Sequence, residues 1–164
     1  MNARKQGFTL VELLVVIAII ALLSAILVPL TSKGTVAAKK KKAALEADAL
    51  VVAVTRYHED HHFMPVTSSK KLGDDQWVQT SDKEWLAVLQ GNNAMKANYL
   101  TVKMNDEGVF LDPWGKAYQV GMDRNLDGRV DSGSGLKGAS KPVVAVSGGP
   151  DGKFGTDDDI STSD

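Results

Sequence analysis

The fold of this 164-residue chain is decided by the stretch Gly7-Phe8-Thr9-Leu10-Val11-Glu12 and by the apolar run that continues from it to Leu30. The polar side chains in that run are Thr9, Glu12 and Ser24. As an α-helix with a rise of ~1.5 Å per residue, residues 8–30 would extend about 34 Å, enough to cross a hydrocarbon core of ~30 Å. A secretory signal peptide has a shorter core of ~7–15 residues and a small-residue cleavage site, which this run lacks. The sequence therefore predicts a transmembrane and assembly helix over 8–30.

Glu12 is the unusual residue of this segment. A carboxylate within a spanning helix costs at least ~2.5 kcal/mol, so it indicates a function and needs a partner. Cleavage between Gly7 and Phe8 would create an α-amine that can be this partner. The alternative is an ordinary single-pass anchor that carries an incidental glutamate.

A short basic leader ending in glycine, then Phe-Thr-Leu-Val-Glu and an apolar helix, resembles the class III signal of type IV pilins and type II secretion pseudopilins. The resemblance implies that residues 1–7 are a prepilin leader. It implies that a prepilin peptidase cuts after Gly7 and methylates the amine of Phe8. It further implies that Glu12 pairs with the amine of a neighbouring subunit during filament assembly.

Pro29 lies near the end of the apolar run, where similar pilins also carry a proline. Proline removes one helix hydrogen bond and kinks or loosens the helix. The resemblance implies that this segment can melt when subunits pack into a filament. A simple kink at the membrane boundary is the alternative.

Charge and composition set the expected location. Arg4 and Lys5 precede the apolar run, so the N-terminus is expected in the cytoplasm and the rest of the chain on the other side of the membrane. The resemblance implies that this membrane is a bacterial inner membrane and that residues 31–164 lie in the periplasm. The lysines at 39–42 are interpreted as a solvated or headgroup-level helix face, with anionic lipid or a neighbouring subunit as the alternative contact. A net charge of −1 argues against nucleic-acid binding. Without cysteine, the exported part needs a clamp other than a disulfide, and a metal is the obvious candidate.

Apolar spacing predicts that the helix continues to about residue 61 and packs one face on a globular domain. The stripe consists of Ala43, Ala47, Leu50, Val54, Tyr57 and His61. The cluster of His58, His61 and His62 is a candidate metal site, because two of its members are spaced i, i+3. The favoured alternative is that histidines at a helix C-terminus interact with the helix dipole.

The remaining sequence predicts a short helix and a small sheet. Ser81-Asp82-Lys83-Glu84 has the pattern of a capping box, and the helix after it would place Trp85 in the core before stopping at Gly91. Residues 67–80 are polar and predicted as a loop. The best strands are 117–122 and 142–147, and 99–104 is a possible strand or extended loop. Residues 112–119 are similar to the turn that leads into the sheet of the major pseudopilin, the G component of type II secretion.

The C-terminal segment 147–160 resembles the calcium-binding ending of the same family. Calcium takes 6 to 8 oxygen ligands, and glycines allow the backbone to wrap an ion. Without an ion, three adjacent aspartates would repel one another. The alternative is a disordered acidic tail. Matched by position, the expected ligands are Ser147, Asp151, Asp157 and Asp159, with Asp158 as a further candidate although many relatives carry a small residue there.

A second calcium loop is possible within the insertion 123–138, which departs from the plain family pattern. Its oxygen side chains match positions 1, 3, 5 and 9 of an EF-hand loop, with glycine at position 6. Position 12 is Ser134 instead of glutamate, so an ordinary hairpin turn is the alternative. The candidate ligands are Asp123, Asn125, Asp127, the backbone of Arg129, and Asp131.

These features predict an α+β fold of the type IV pilin-like kind, in which a long N-terminal helix packs on a small antiparallel sheet with a Ca²⁺-stabilised C-terminal loop. By resemblance, the chain is a structural subunit of a periplasmic pseudopilus, a homo-oligomeric filament for type II secretion. Its expected partners are prepilin peptidase, other pseudopilins and the inner-membrane assembly platform. The alternative is a type IV pilus or minor pilin subunit for adhesion or DNA uptake. No catalytic motif is present, so we expect no enzyme.

Overall fold

A long helix and a small antiparallel sheet form the parts of the chain that the computed structural model describes, which are residues 8–65 and 76–163. The side chains of residues 26–33 and 76 also lie outside the description. The predicted leader with its cleavage site at Gly7, the side chain of Pro29, and the first part of the polar segment 67–80 therefore fall outside the described residues. The elements are α1 (Leu10–His61), β1 (Gln76–Gln79), α2 (Lys83–Leu89), β2 (Gln119–Met122), β3 (Val143–Ser147) and β4 (Ile160–Ser161).

The first part of α1 belongs to one compact unit, residues 1–38, and the remainder of the chain forms the other. In the first unit every side chain from Phe8 to Ala25 is exposed. The hydroxyl of Ser24 donates back to the carbonyl oxygen of Ile20 at 2.8 Å, so its hydrogen is used within the helix. Judged on the described residues, no helix combines the length and the apolar character needed to cross a membrane.

In the second unit, α1 buries the predicted stripe against the sheet. Ala43, Ala47, Leu50 and Val54 are fully buried, Tyr57 is nearly so, and His61 is half-buried. Burying each large apolar side chain contributes ~1.5–3 kcal/mol, so this face anchors the helix. The helix ends as predicted, because His62 adopts a φ of +61° and its amide donates to the carbonyl oxygen of His58 at 2.8 Å.

A polar contact joins the same helix face to the sheet. The hydroxyl of Tyr118 donates to Glu46 Oε2 at 2.6 Å, and Lys42 Nζ lies 3.6 Å from Glu46 Oε1. Burial of the Tyr118 hydroxyl raises its pKa far above the usual range, and the bond to Glu46 adds to the rise. The phenol therefore stays protonated and remains a donor at physiological pH.

The sheet is antiparallel throughout, with the order β1-β2-β3-β4. The strands predicted at 117–122 and 142–147 are confirmed as β2 and β3, each slightly shorter. The prediction of a loop over 67–80 is wrong for Gln76–Gln79, which pairs with β2 so that Trp77 faces Gly121. Residues 99–104 lie outside the four strands.

Both faces of the sheet are covered. Trp85, Val120, Ala145 and their neighbours fill the core on the α1 side. On the other side Val144 and Val146 pack with Val130 and Leu136. The last two come from a small hairpin inside the insertion, where Val130 pairs with Ala139 and Gly133 pairs with Leu136. The insertion thus supplies a second small core as well as a loop.

Close approach of this hairpin requires glycine at position 121. A Cβ atom built there would lie 2.7 Å from Val130 Cγ1 and 3.0 Å from the Trp77 ring. Trp77 is in turn oriented by its indole N–H, which donates to the carbonyl oxygen of Asp131 at 3.0 Å. Gly121 therefore makes room for the packing of the insertion on the sheet.

The capping box predicted at Ser81 is wrong by one residue. Asp82 is the N-cap of α2, and its Oδ1 accepts from the amides of Glu84 and Trp85, both at 3.1 Å. The hydroxyl of Ser81 instead donates to Gln79 Oε1 at 3.2 Å. A carboxylate is also favoured at the positive end of the helix dipole.

Replacing Asp82 with alanine is expected to destabilise the purified chain by about 1 kcal/mol, because the first turn of α2 loses its cap. Asp82→Asn should retain most of the stability, since an amide oxygen can cap as well. Urea unfolding followed by tryptophan fluorescence measures both. The matched control is Ser81→Ala, which should change stability little, and an equal loss in the two alanine variants would contradict the assignment of the cap.

Candidate functional site

The N-terminus of α1 is closed by a reciprocal pair, Thr9 and Glu12. Glu12 Oε2 accepts from the amide of Thr9 at 2.8 Å and from its hydroxyl at 2.7 Å. The amide of Glu12 donates to Thr9 Oγ1 at 3.3 Å. This is a capping box of the form Thr-x-x-Glu, and the sequence analysis overlooked it although the pattern is visible in the sequence. Within one chain, the carboxylate is therefore satisfied locally.

Of the three histidines at the end of α1, His61 belongs to an aromatic cluster. The ring of His61 stacks on that of Tyr57 with 4.2 Å between centroids, and Phe63 and Tyr99 contact the pair edge-on. Among the described residues neither His58 Nδ1 nor His61 Nε2 finds a hydrogen-bond partner. The metal site suggested for these histidines stays a prediction.

A buried network connects the turn at 112–115 with the start of the C-terminal acidic segment. Asp112 Oδ1 accepts from the amides of Trp114 at 3.0 Å and Lys116 at 2.8 Å. Asp112 Oδ2 accepts from the hydroxyl of Ser147 at 2.6 Å, and that hydroxyl oxygen accepts from the amide of Gly149 at 3.1 Å. Both side chains are buried. Ser147, predicted as a calcium ligand, therefore holds the acidic loop to the turn, a role that sequence reasoning missed.

The acidic loop folds back on itself through its aspartates. Asp158 Oδ2 accepts from the amide of Asp151 at 3.2 Å, and Asp158 Oδ1 accepts from the hydroxyl of Thr156 at 2.7 Å. Asp159 Oδ2 accepts from the amide of Gly155 at 2.7 Å. Asp159 Oδ1 is buried and has no hydrogen-bond partner among the described residues. A buried carboxylate oxygen of this kind is available to a cation or another donor.

The carboxylates of the acidic loop differ in their electrostatic environment. Burial raises the pKa of Asp159, and the charges of Asp158 and Asp151 raise it further. The hydrogen bond from Thr156 lowers the pKa of Asp158, to which the Lys40 charge adds a smaller effect. The Asp151 and Asp158 charges thus act on Asp159, and the Asp158 carboxylate also contacts the backbone amide of Asp151.

Asp157 lies beside Asp159 at the edge of a cavity. The cavity has a volume of about 200 Å³, and its apolar wall includes Val144 and Val146. Across the described ranges 8–65 and 76–163, the structure contains no group of three or more His, Asp or Glu side chains arranged to hold a metal ion. The calcium ligands predicted from the sequence stay predictions.

Glycine is required where the acidic loop turns. Gly149 has a φ of +61°, and a Cβ atom on it would lie 2.3 Å from the carbonyl oxygen of Asp158. No side chain fits in that space. The loop ends are therefore held close together, and backbone carbonyls lie near the clustered carboxylates.

The second predicted calcium loop is stabilised by hydrogen bonds of its own. Buried Asp123 accepts from the amides of Leu126 at 2.6 Å and Gly128 at 2.8 Å. The side chains of Asn125 and Asp127 each accept from the amide two residues ahead, at 2.9 and 3.0 Å. These turns order the loop by themselves, so calcium binding there also stays a prediction.

Comparison with known proteins shows similarity in the N-terminal segment and over nearly the whole chain. Residues 2–28 match the family described as prokaryotic N-terminal methylation motif. The chain is 33% identical to the type II secretion system core protein G of Escherichia coli K12 over 162 residues, covering 96% of this chain and 90% of that protein. It is 29% identical to the protein of the same name from Dickeya chrysanthemi over 98% of this chain and 87% of the relative.

Type IV pilins are also similar, over a smaller part of the chain. A type IV major pilin protein PilE1 of Neisseria gonorrhoeae is 40% identical over 118 residues, which is 71% of this chain and 72% of the pilin. No solved structure gives a significant match.

Ser147→Ala is expected to destabilise the chain by about 1.5–3 kcal/mol, because it leaves a buried oxygen of Asp112 and the amide of Gly149 without their partner. The measurement is urea unfolding, together with hydrogen exchange of the amides after residue 148, which should lose protection. Exposed Ser140→Ala is the matched control and should change neither quantity. Wild-type exchange in the Ser147 variant would contradict the positioning role.

Proposed function

Because this chain belongs to the family of the type II secretion system core protein G, we propose that it polymerises at the bacterial inner membrane into a periplasmic pseudopilus that drives protein export. The observation that carries this function is the similarity to core protein G over nearly the whole chain. The chain's role is structural, as in the pilins and pseudopilins it resembles. Its partners are further copies of itself, other pseudopilins and the inner-membrane assembly platform.

The N-terminal segment is the part that we propose is processed. Prepilin peptidase would cut after Gly7 and methylate the amine of Phe8, and the match of residues 2–28 to the methylation motif supports this. Residues 8–30 would then lie in the membrane as a single pass before assembly, with residues 31–164 in the periplasm. The exposed apolar side chains from Phe8 to Ala25 support that placement, since nothing within the chain covers them in the part the structure describes.

The Glu12 carboxylate would have two partners in the assembled filament. In the single chain it closes the capping box with Thr9, and in the filament it would also accept the amine of a neighbour's Phe8. A carboxylate has several acceptor positions, so one oxygen can keep the cap while the other binds an ammonium group. In apolar surroundings this ion pair is strong and would set the register of adjacent helices.

Calcium would clamp the C-terminal loop. Asp151, Asp158 and Asp159 are the carboxylates that the loop geometry favours, and the unpartnered oxygen of Asp159 fits a ligand role. When bound, calcium would neutralise the mutual repulsion of these groups and draw in backbone carbonyls of the glycine-rich turn. Asp157 lines the same cavity as Asp159 and stays a candidate ligand, and Ser147 would act by positioning the loop.

A type IV pilus subunit is the second candidate, because of the 40% identity to the gonococcal pilin. The greater coverage by core protein G relatives favours the pseudopilus. Electron microscopy of cells that overproduce the chain separates the two functions. Short fibres that depend on the secretion system support the pseudopilin role, whereas long surface pili in cells without that system support the pilin role.

Glu12→Gln is expected to lower the filament yield by at least about tenfold, as much as Glu12→Ala does. The reason is that loss of an ion pair worth ~1.4 kcal/mol already changes an association constant tenfold. Glutamine preserves the capping box with Thr9 but lacks the negative charge. The measurement is filament yield by sedimentation and electron microscopy. The control is Thr9→Ala, which removes the cap and keeps the charge and should assemble better than either Glu12 variant. Normal filaments from Glu12→Gln would show that the cap alone matters.

Millimolar calcium is expected to raise the melting temperature of the wild-type chain by several degrees and that of Asp159→Asn by much less. Without calcium, Asp159→Asn is expected to have a higher melting temperature than the wild-type chain. Burial raises the folded-state pKa of Asp159, so its contribution to stability is present at low pH and is lost as pH rises through that pKa. At neutral pH the asparagine variant should therefore melt higher than wild type in EDTA.

Thermal unfolding by circular dichroism with calcium or EDTA measures this effect. Exposed Asp106→Asn is the control and should behave as wild type in both conditions. Asp157→Asn and Asp158→Asn compare the two adjacent candidates, and the variant that loses more of the calcium response identifies the ligand. An equal calcium response in wild type and Asp159→Asn would rule out this site.

A further inference from the structure

The loop between Asp123 and Asp131 presents an apolar side chain at its tip. Leu126 is 66% exposed and adopts a φ of +63°, a conformation that residues other than glycine rarely take. Buried Asp123 holds it there through the amides of Leu126 and Gly128. A strained backbone that a buried carboxylate keeps in place indicates a preorganised contact site.

Charges of both signs flank this leucine. The side chains of Asp127 and Arg129 pair only loosely, with 3.8 Å between Oδ2 and Nη2, and they are 41% and 63% exposed. An exposed pair of this kind contributes little to stability, so the Arg129 guanidinium and Asp127 Oδ2 can take new partners at low cost while Asp127 Oδ1 keeps its bond to the Arg129 amide. The loop tip, residues 126–129, therefore offers one apolar group, one acid and one arginine.

The outward face of α1 has the same three kinds of group. Leu45 is 70% exposed and Val52 is 47% exposed, and their separation of two helical turns places them on one face. Exposed Asp48 and Arg56 lie on that face, opposite the buried stripe that packs on the sheet. This is an apolar strip with an acid and an arginine along it, complementary to the loop tip.

We propose that the loop tip of one subunit docks on the outward α1 face of a second copy of this chain, a contact that rests on the proposed filament function. Leu126 fits between Leu45 and Val52. Arg129 then faces Asp48 of the second copy, and Asp127 faces Arg56. Two different surfaces that meet head to tail produce an open helical array instead of a closed dimer, as a filament requires.

Cysteine cross-linking between two differently labelled chains tests the contact. The chain has no cysteine, so each introduced thiol is unique. Full-length Leu126→Cys is co-expressed with either Leu45→Cys or Val52→Cys, and filaments are isolated and oxidised with copper phenanthroline. Met95→Cys, which is 56% exposed and lies outside the proposed contact, is the control partner. Thermal unfolding checks that each exposed substitution leaves the fold intact.

The expected result is disulfide-linked heterodimers between position 126 and either helix position. The Met95 control should give at least several-fold less of this product. Cysteine variants that form filaments at the wild-type yield, but in which position 126 links to neither helix position, would overturn the docking and leave the proposed function standing. Absence of filaments from the wild-type chain would overturn both.

Charge reversal supplies a second test. Arg129→Asp should lower the filament yield several-fold, and Asp48→Arg in the same chain should restore it by exchanging the two charges. A yield that Arg129→Asp leaves unchanged, or that Asp48→Arg lowers further, counts against the docking.

Discussion

Packing of α1 on one face of the sheet is the constraint on which the rest of the folded unit depends. Ala43, Ala47 and Ala53 let the helix approach closely, so Leu50 and Val54 reach the core. Successive side chains of a strand lie on opposite faces of the sheet. Because Val143 and Ala145 belong to the core on the α1 side, Val144 and Val146 lie on the opposite face. That second face must also be covered, and the insertion between β2 and β3 covers it with its own small hairpin. The helix therefore determines indirectly where the insertion lies.

The same helix changes its environment along its length. Up to Ala25 its side chains are exposed on every side, whereas from Ala43 onward one face is buried. A helix apolar all round must be covered by lipid or by other helices, while an amphipathic helix is stable on a sheet. The proposed polymerisation would cover the first part of the helix, while the second part keeps the folded unit of residues 39–164 together.

Much of the fold could be predicted from the sequence, because α1, β2 and β3 carry strong local periodicity or β-branched runs. Strand β1 could not, since only Trp77 and Val78 are apolar there and the strand depends on pairing with β2. The cap of α2 was misplaced because Ser81 and Asp82 are both good caps, and contact with Gln79 decided between them. At the site, the link from Ser147 to Asp112 spans 35 residues, which no local pattern reveals. In a glycine-rich loop, periodicity likewise does not tell which of Asp157 and Asp158 faces Asp151.

The insertion and the acidic loop are in contact and therefore cannot vary independently. A Cβ atom on Gly155 would lie 2.8 Å from the carbonyl oxygen of Gly135, and both residues have a positive φ. Gly155 also donates its amide to Asp159, whose other oxygen is buried without a partner. The tip of the hairpin thus packs on the segment that orients the proposed calcium ligand. A displacement of the hairpin would move Gly155 and, through this hydrogen bond, the carboxylate of Asp159. The insertion consequently belongs to the structural support of the acidic loop, and any ion bound there would stabilise the hairpin as well.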